Sequence, residues 1–281
     1  MPGTLYVVGT PIGNLEDITL RALRLLKSVP VIAAEDTRQT KKLLTRYGIA
    51  TPLTSYYEHN ELAKAPVLLA RLLEGEDVAL VCDAGTPAIS DPGYLLVRLA
   101  LERGVSVVPV PGPSALIMAL AAGGLPTDHF VFLGFPPRQA SRRRKLLEQV
   151  QALPWTLVFY ESPQRLGALL EAILAVLGDR RVVLARELTK AFEEFRRGTV
   201  SELVAALRGK AVRGEVTLLV EGAPEGTRET EQTVKELLQE MLKAGELPWK
   251  EVLKKVAAAK RIPRKSAYEA YLKLKGESGS A

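Results

Sequence analysis

Short apolar runs recur through the first 110 residues, with amphipathic stretches between them. Residues 5–9, 31–34, 78–82 and 106–110 read LYVVG, VIAA, VALVC and SVVPV. Uncharged runs this short, rich in aliphatic side chains, are the pattern of strands buried on both faces. Between the first two, Leu15, Ile18, Ala22, Leu25, Leu26 and Val29 fall at helical spacing. Asn14 stands where an N-cap belongs, and Glu16 and Asp17 suit a first helical turn. Strands alternating with helices predict an α/β domain with a mainly parallel sheet.

The rhythm changes after the prolines at 109–113. Residues 130–134, 156–160, 182–186 and 216–220 are strand candidates, and 195–200 adds another. Residues 140–152, 163–177 and 201–208 read as helices, so a second α/β unit is expected from Ser114. The segment 222–230, GAPEGTRET, reads as a linker. Three helices are expected beyond it, at 231–244, 249–260 and 264–274, punctuated by Gly245, Pro248 and Pro263. That is the pattern of a helix-turn-helix module and equally of any small helical cap. The expected domains are 1–113, 114–225 and 226–281, the last a linker with a small basic helical domain.

Several function classes drop out on composition. Cys82 is the sole cysteine, so an intrachain disulfide is impossible, in keeping with a reducing, cytoplasmic setting. With only two histidines beside it, a His/Cys metal site is not expected. The N-terminus carries no basic region and no cleavage signal of a secretory leader. The longest uncharged stretch, 104–127, is broken by Pro109, Pro111, Gly112 and Pro113, so a strand, a turn and a buried helix are expected rather than a membrane span. Charge is unevenly placed. Residues 248–275 hold nine Lys or Arg and two Glu, an excess of +7 against +6 for the whole chain, so the remainder sums to −1. A near-neutral body with a basic tail suggests a polyanionic partner; a solvated basic helical face reads as well.

The densest motif, DAGTPAISDPG at 83–93, directly follows an apolar strand. Ligands of open α/β sheets bind beyond the carboxyl ends of strands, and glycines there admit a ligand close to the backbone. A rigid strand-to-helix turn would need far fewer residues. GTPIGN at 9–14 also follows a strand, but it matches neither a dinucleotide fingerprint nor a Walker loop. PVPGPSA at 109–115 joins the two α/β units, and Ser114 reads equally as a helix N-cap. Glu35-Asp-Thr-Arg38 closes the second strand as a substrate contact or a structural ion pair. YESPQR (160–165), RELTK (186–190), FRRGT (195–199) and GEVT (214–217) lie near strand ends, where ordinary turn chemistry accounts for each singly. His59 is an acid/base candidate or a loop residue. The basic run 142–145 suits a phosphate contact or a solvated face, and Cys82 reads as core.

The ordered set YVVGTPIGNLEDITLRAL, AAEDTR, DAGTPAISDPG, PGPSAL, FYESPQRL, ARELTK and FRRGT resembles the small-subunit ribosomal RNA methyltransferase I family of the tetrapyrrole methylase superfamily. The likeness is close over residues 4–222 and looser over the helical tail. It implies two α/β domains enclosing S-adenosylmethionine, a homodimer, and methylation of a cytidine ribose 2′-hydroxyl in the decoding region of 16S rRNA within the 30S subunit. It implies cofactor contacts at Pro11, Asp83, Ala84, Gly85, Ile89, Ser114, Ala115, Tyr160, Leu188 and Thr217. Residue type and strand-end position make Glu35 and Asp36 base or substrate-orienting candidates, with Glu187 a further acid. Arg38, Arg186 and Lys190 are candidates for holding phosphate or a developing alkoxide. Lys254, Lys255, Lys260, Arg261, Arg264 and Lys265 are expected to meet rRNA phosphates. Two competing readings stay open: a tetrapyrrole methyltransferase, and a non-catalytic ribosome-binding assembly factor.

Overall fold

The computed structural model describes residues 1–224, 231–243, 248–259 and 264–277. By backbone contacts the chain divides into two compact units, Met1–Gly222 and Ala223–Ala281.

The first unit begins with β1 (Thr4–Val8), α1 (Leu20–Ser28), β2 (Val31–Ala34), α2 (Thr37–Arg46), β3 (Leu53–Ser55), α3 (Glu61–Leu73), β4 (Val78–Val81), α4 (Tyr94–Glu102) and β5 (Ser106–Val110). The strands form an all-parallel sheet in the order β3-β2-β4-β1-β5. Every residue of β2 and β4 is buried, as central strands covered on both faces require. Leu26, Ile32, Leu43 and Leu44 pack on the α1/α2 face, and Leu5, Leu68, Leu72 and Leu96 on the α3/α4 face. Pro109 lies in β5, an edge strand, where a residue without an N–H is tolerated.

One sequence expectation is corrected here, and one strand is added. The helix expected from Asn14 is interrupted. Asn14 caps only a 3-10 turn, Leu15–Asp17; Ile18 is extended, and Thr19 starts α1 by accepting from the Ala22 amide at 3.1 Å. The turn lets Ile18 reach the core while Leu15 stays partly exposed. The strand β3 went unpredicted because it is three residues long, partly polar and at a sheet edge.

The second half runs α5 (Ala115–Gly123), β6 (Phe130–Phe132), α6 (Ala140–Val150), β7 (Thr156–Glu161), α7 (Pro163–Leu177), β8 (Arg181–Arg186), β9 (Glu194–Thr199), α8 (Val200–Leu207) and β10 (Val216–Val220). Its sheet is mixed, in the order β6-β7-β10-β8-β9, with only β6 and β7 parallel. The helices α6, α7 and α8 cover one face through Leu147, Leu169, Ile173 and Leu203. On the other face Leu116, Ala119 and Leu120 of α5 meet Val158, Val183 and Leu219, and Ile12 from the β1 loop joins the same cluster. A Cβ at Gly123 would sit 2.5 Å from a Leu219 methyl, so a larger residue there would require Leu219 to move.

In the second unit α9 (Glu231–Lys243), α10 (Trp249–Ala259) and α11 (Arg264–Glu277) pack around Leu238, Val252, Val256 and Ala267. No described helix is long and apolar enough to cross a membrane. Lys260 and Arg261 lie outside the described residues.

Candidate active site

The carboxyl ends of β1, β2 and β4 face the second sheet across a cavity of about 410 Å³. Backbone bonds hold its floor. The Thr10 amide donates to the Gly85 carbonyl at 2.8 Å and the Gly85 amide donates back to the Thr10 carbonyl at 3.0 Å, an isolated antiparallel bridge between the β1 and β4 loops. The Thr10 hydroxyl donates to the Cys82 carbonyl at 3.0 Å. Gly9 and Gly112 touch backbone to backbone, and a Cβ on Gly9 would meet the Gly112 Cα at 2.8 Å. The Asp36 amide donates to Asp83 Oδ1 at 2.9 Å, and the Asp83 amide to Glu35 Oε2 at 3.2 Å, so the β2 and β4 loops lock reciprocally. Between the β1 and β8–β9 loops the Asn14 amide donates to Thr189 Oγ1 at 3.0 Å.

Among the described residues four non-glycines have positive φ: Ala88 (68°), Ser90 (64°), Glu187 (52°) and Thr189 (65°). All lie in the β4–α4 and β8–β9 loops that border the cavity. Backbone held in a sparsely populated region concentrates at ligand-binding sites, because the surrounding contacts over-determine it.

One wall of the cavity is acidic. Burial raises the Glu35 carboxyl above its ordinary range, and Asp83 and Asp36 add to this. Burial likewise raises Asp83. Asp91 is pushed up to about 6, chiefly by burial and then by the charges of Glu35 and Asp83. The remaining lining is largely apolar, including Ile12, Ile89, Phe135, Leu188 and Val216. Hydroxyls of Thr86, Ser90, Ser114 and Ser162 are interspersed. Ser114 occupies the N-cap position of α5 without its side chain capping the helix; its hydroxyl lies instead in hydrogen-bonding reach of Tyr160. Tyr160 takes over part of that task, its hydroxyl accepting from the Leu116 amide at 3.1 Å.

Of the residues singled out from the sequence, Glu35, Asp83, Ala84, Gly85, Ile89, Ser114, Ala115, Tyr160, Leu188 and Thr217 line this cavity. Pro11 adjoins it, with Ile12 in the lining. Asp36 lies just behind, paired at 2.7 Å with the exposed Arg38, whose guanidinium holds its carboxyl down at about 2. Glu187 and Lys190 neighbour Leu188 in the β8–β9 loop but do not line the cavity. Lys190 Nζ donates to Glu187 Oε1 at 2.9 Å and lies 3.3 Å from Glu215 Oε2. Arg186 is held by Glu194 at 2.8 Å and lines a separate hollow with Arg196 and Arg213. His59 sits in the turn before α3, edge-on to Tyr57. Cys82 is buried, and burial pushes its thiol up. Among the described residues no cluster of His, Cys, Asp or Glu is placed to hold a metal ion.

Other lining residues escaped the sequence reading. Asp91, Thr86 and Ser90 belong to the same dense loop, and Glu161, Ser162 and Glu215 to motifs already noted. Phe135 carried no signal, being a lone aromatic after a strand.

Residues 4–204 match the family model described as Tetrapyrrole (Corrin/Porphyrin) Methylases. The chain belongs to the tetrapyrrole methylase family. It is 48% identical over 274 residues to the Ribosomal RNA small subunit methyltransferase I of Halalkalibacterium halodurans, covering 96% of this chain and 94% of that one. It is 48% identical to the protein of that name from Escherichia coli O157:H7, covering 98% and 96%. These relatives place the methylase among the ribosomal RNA small subunit methyltransferases I. Among solved structures, uroporphyrin-III C-methyltransferase from Thermus thermophilus, complexed with S-adenosyl homocysteine, superposes with a TM-score of 0.55 at 23% identity. That match covers 77% of the methylase and 97% of the other chain, and shares its fold.

Proposed function

We propose that the methylase binds S-adenosylmethionine in the cavity between its two sheets and methylates the ribose 2′-hydroxyl of a cytidine in the decoding region of 16S rRNA. The observation that carries the reading is the lining itself: an acidic wall of Glu35, Asp83 and Asp91 facing a surface that is apolar apart from hydroxyls, Glu161 and Glu215, within loops tied by backbone bonds. The donor set fits the cofactor. It carries a sulfonium and an ammonium, which carboxylates attract, and an adenine, which Ile89, Leu188, Phe135 and Val216 suit. The cavity volume lies within the range of about 300–1,000 Å³ usual for small-molecule sites. Gly85, with φ of +88°, brings its backbone to the cavity where a side chain would narrow it. When bound, S-adenosylmethionine supplies an electrophilic methyl group.

The chain's own residues then have separable tasks. Asp83, Ala84 and Gly85, with Ser114 and Ala115, hold the polar end of the cofactor, while Ile89, Tyr160, Leu188 and Thr217 bound the rest and Pro11 fixes the β1 loop. Holding the acceptor and donor in line is the larger part of the acceleration. The apolar lining excludes water, which strengthens the local electrostatics. Glu35 is a carboxylate at the cavity with a raised pKa, suited to take a proton from a ribose hydroxyl at neutral pH. Asp36 and Arg38 stand beside it as substrate-orienting groups. Lys190 and Glu187, paired with each other beside Leu188, are suited to a substrate phosphate, while Arg186, tied to Glu194 in the neighbouring hollow, would meet RNA further from the reacting atoms.

What supports RNA over a tetrapyrrole is the identity gradient and the charge. Relatives near 48% identity carry ribosomal RNA names, the tetrapyrrole enzyme lies at 23%, and a small macrocycle has no use for a tail of +7. The test is mass-spectrometric mapping of 2′-O-methylated riboses in 16S rRNA from a deletion strain, with purified protein added back to its 30S subunits. One missing methyl, restored on a decoding-region cytidine, is expected. An unchanged methylation map sinks the reading. Glu35→Gln is expected to lose at least about 100-fold in single-turnover rate with cofactor still bound; an unaltered rate removes Glu35 as the base.

A further inference from the structure

Among the described residues of the three-helix unit the buried side chains are aliphatic, including Leu238, Val252, Leu253, Val256 and Leu274. Its aromatics gather at the start of α10 and on α11. Trp249 stacks on Tyr271 with ring centroids 5.3 Å apart and planes 4° from parallel. Tyr268 lies 6.2 Å from Trp249. Trp249 and Tyr268 are 39% and 42% exposed, a poor use of large rings if packing were their sole purpose. Tyr268 also lines a cleft of about 330 Å³ with Lys250, Leu253, Arg264 and Lys265. The Lys250 ammonium sits 5.6 Å from the centre of the Trp249 ring. The cleft thus offers a flat π-face and an apolar floor, rimmed by three cations, on the most basic segment of the chain.

This combination distinguishes between polyanions. Phosphate contacts alone need only the cations, and paired RNA hides its base faces. A membrane surface would favour long aliphatic side chains on an amphipathic face, but here the described aliphatic side chains mostly pack into the unit's core, Leu272 excepted. An unpaired nucleotide uses every part: its base stacks on an aromatic ring while its flanking phosphates meet Lys or Arg. We propose that the cleft between α10 and α11 is a subsite for an unpaired RNA nucleotide, with Tyr268 as the stacking platform and Lys250, Arg264 and Lys265 holding the adjoining phosphates. The proposal rests on the reading that the methylase engages RNA, and it names which feature of that RNA this unit recognises.

Trp155 and Trp249 are the only tryptophans, so Trp155→Phe in the full chain leaves Trp249 as the sole indole reporter. This protein is titrated with a single-stranded oligoribonucleotide, with an abasic phosphodiester of equal length and charge, with the corresponding duplex, and with phosphatidylglycerol vesicles. Saturable quenching by the single strand is expected, with much weaker responses to the other three. Tyr268→Ala is expected to weaken single-strand binding about 5- to 100-fold, while Tyr268→Phe retains it. Should Tyr268→Ala melt early, the surface pair Arg264→Glu and Lys265→Glu serves in its place, with a loss of single-strand binding expected. Equal quenching by the abasic chain, quenching by vesicles but not RNA, or full affinity in these variants would overturn the proposal. Methyl transfer to 30S subunits is scored separately. Transfer without base-dependent quenching sinks the subsite alone, and quenching without transfer sinks the rRNA reading alone.

Discussion

Asp91 is half-buried beside two other carboxylates, and its charge state answers to all of them. Its carboxyl titrates at about 6 in the folded protein against 3.8 for a free side chain. Between those values the folded state holds more protons than the unfolded one, so this residue's contribution to stability falls as pH rises through the window. Asp91→Asn is therefore expected to raise Tm by about 2–4 °C at pH 7.5 and to leave it unchanged near pH 4. Identical melting curves at both pH values would refute the assignment. A cationic ligand reverses the preference, because it favours the ionised carboxylate. Affinity for S-adenosylmethionine is then expected to weaken as pH falls from 7.5 to 5.5 in the parent, and to be flatter in Asp91→Asn. Calorimetry at the two pH values checks this. Asp91 lay in plain view within DAGTPAISDPG, but its partner Glu35 precedes it by more than fifty residues. Only the parallel pairing of β2 with β4 brings the two loops together.

At the scale of elements, the two loops with positive φ set the shape of the site. Ala88→Gly relieves strain of about 1 kcal/mol at φ of 68°, but gives back about 0.4–1 kcal/mol by loosening the unfolded chain. Little change in Tm is expected, together with a several-fold loss of cofactor affinity as the unbound loop samples more conformations. Affinity equal to the parent's would show that the strain does not serve binding. Gly214 is a harder constraint. Its φ is +86°, and a Cβ would lie 2.4 Å from the Glu187 side chain, which is pinned by the Glu215 amide and by Lys190. Gly214→Ala is expected to cost about 1–3 kcal/mol, read from the denaturant midpoint. The strand–turn–helix segment around the first of these loops and the strands flanking the second were legible because each is encoded by neighbours in the chain. The pairing directions of the second sheet were not, since nothing in VVLAR or VTLLV says which neighbour either strand will take.

At the scale of the molecule, the compact unit ending at Gly222 contains both sheets and the whole cavity lining. Truncation after Gly222 is expected to leave cofactor affinity within about twofold, since no lining residue is removed. RNA affinity is expected to fall, and the slope of log affinity against log salt to flatten by roughly 0.7–0.9 for each phosphate the shortened chain no longer neutralises. Equal RNA affinity of the two forms at low and high salt would remove the tail from recognition. The charge asymmetry behind this expectation needs no structure, because it is a count along the chain.

Residue order along the chain was enough for whatever depends on near neighbours: the buried strands, most helix boundaries, the dense turn after β4, and where positive charge accumulates. It could not reveal that Thr10 bridges Gly85, that Asn14 reaches Thr189, or that Glu35, Asp83 and Asp91 share one wall. Nor could it reveal that Arg186 turns to Glu194 while Lys190 turns to Glu187; the packed fold settled these. The reason is physical. Backbone preference and hydrophobic period act over a few residues, whereas these contacts close loops of up to about 175 residues and exist only once both sheets have packed.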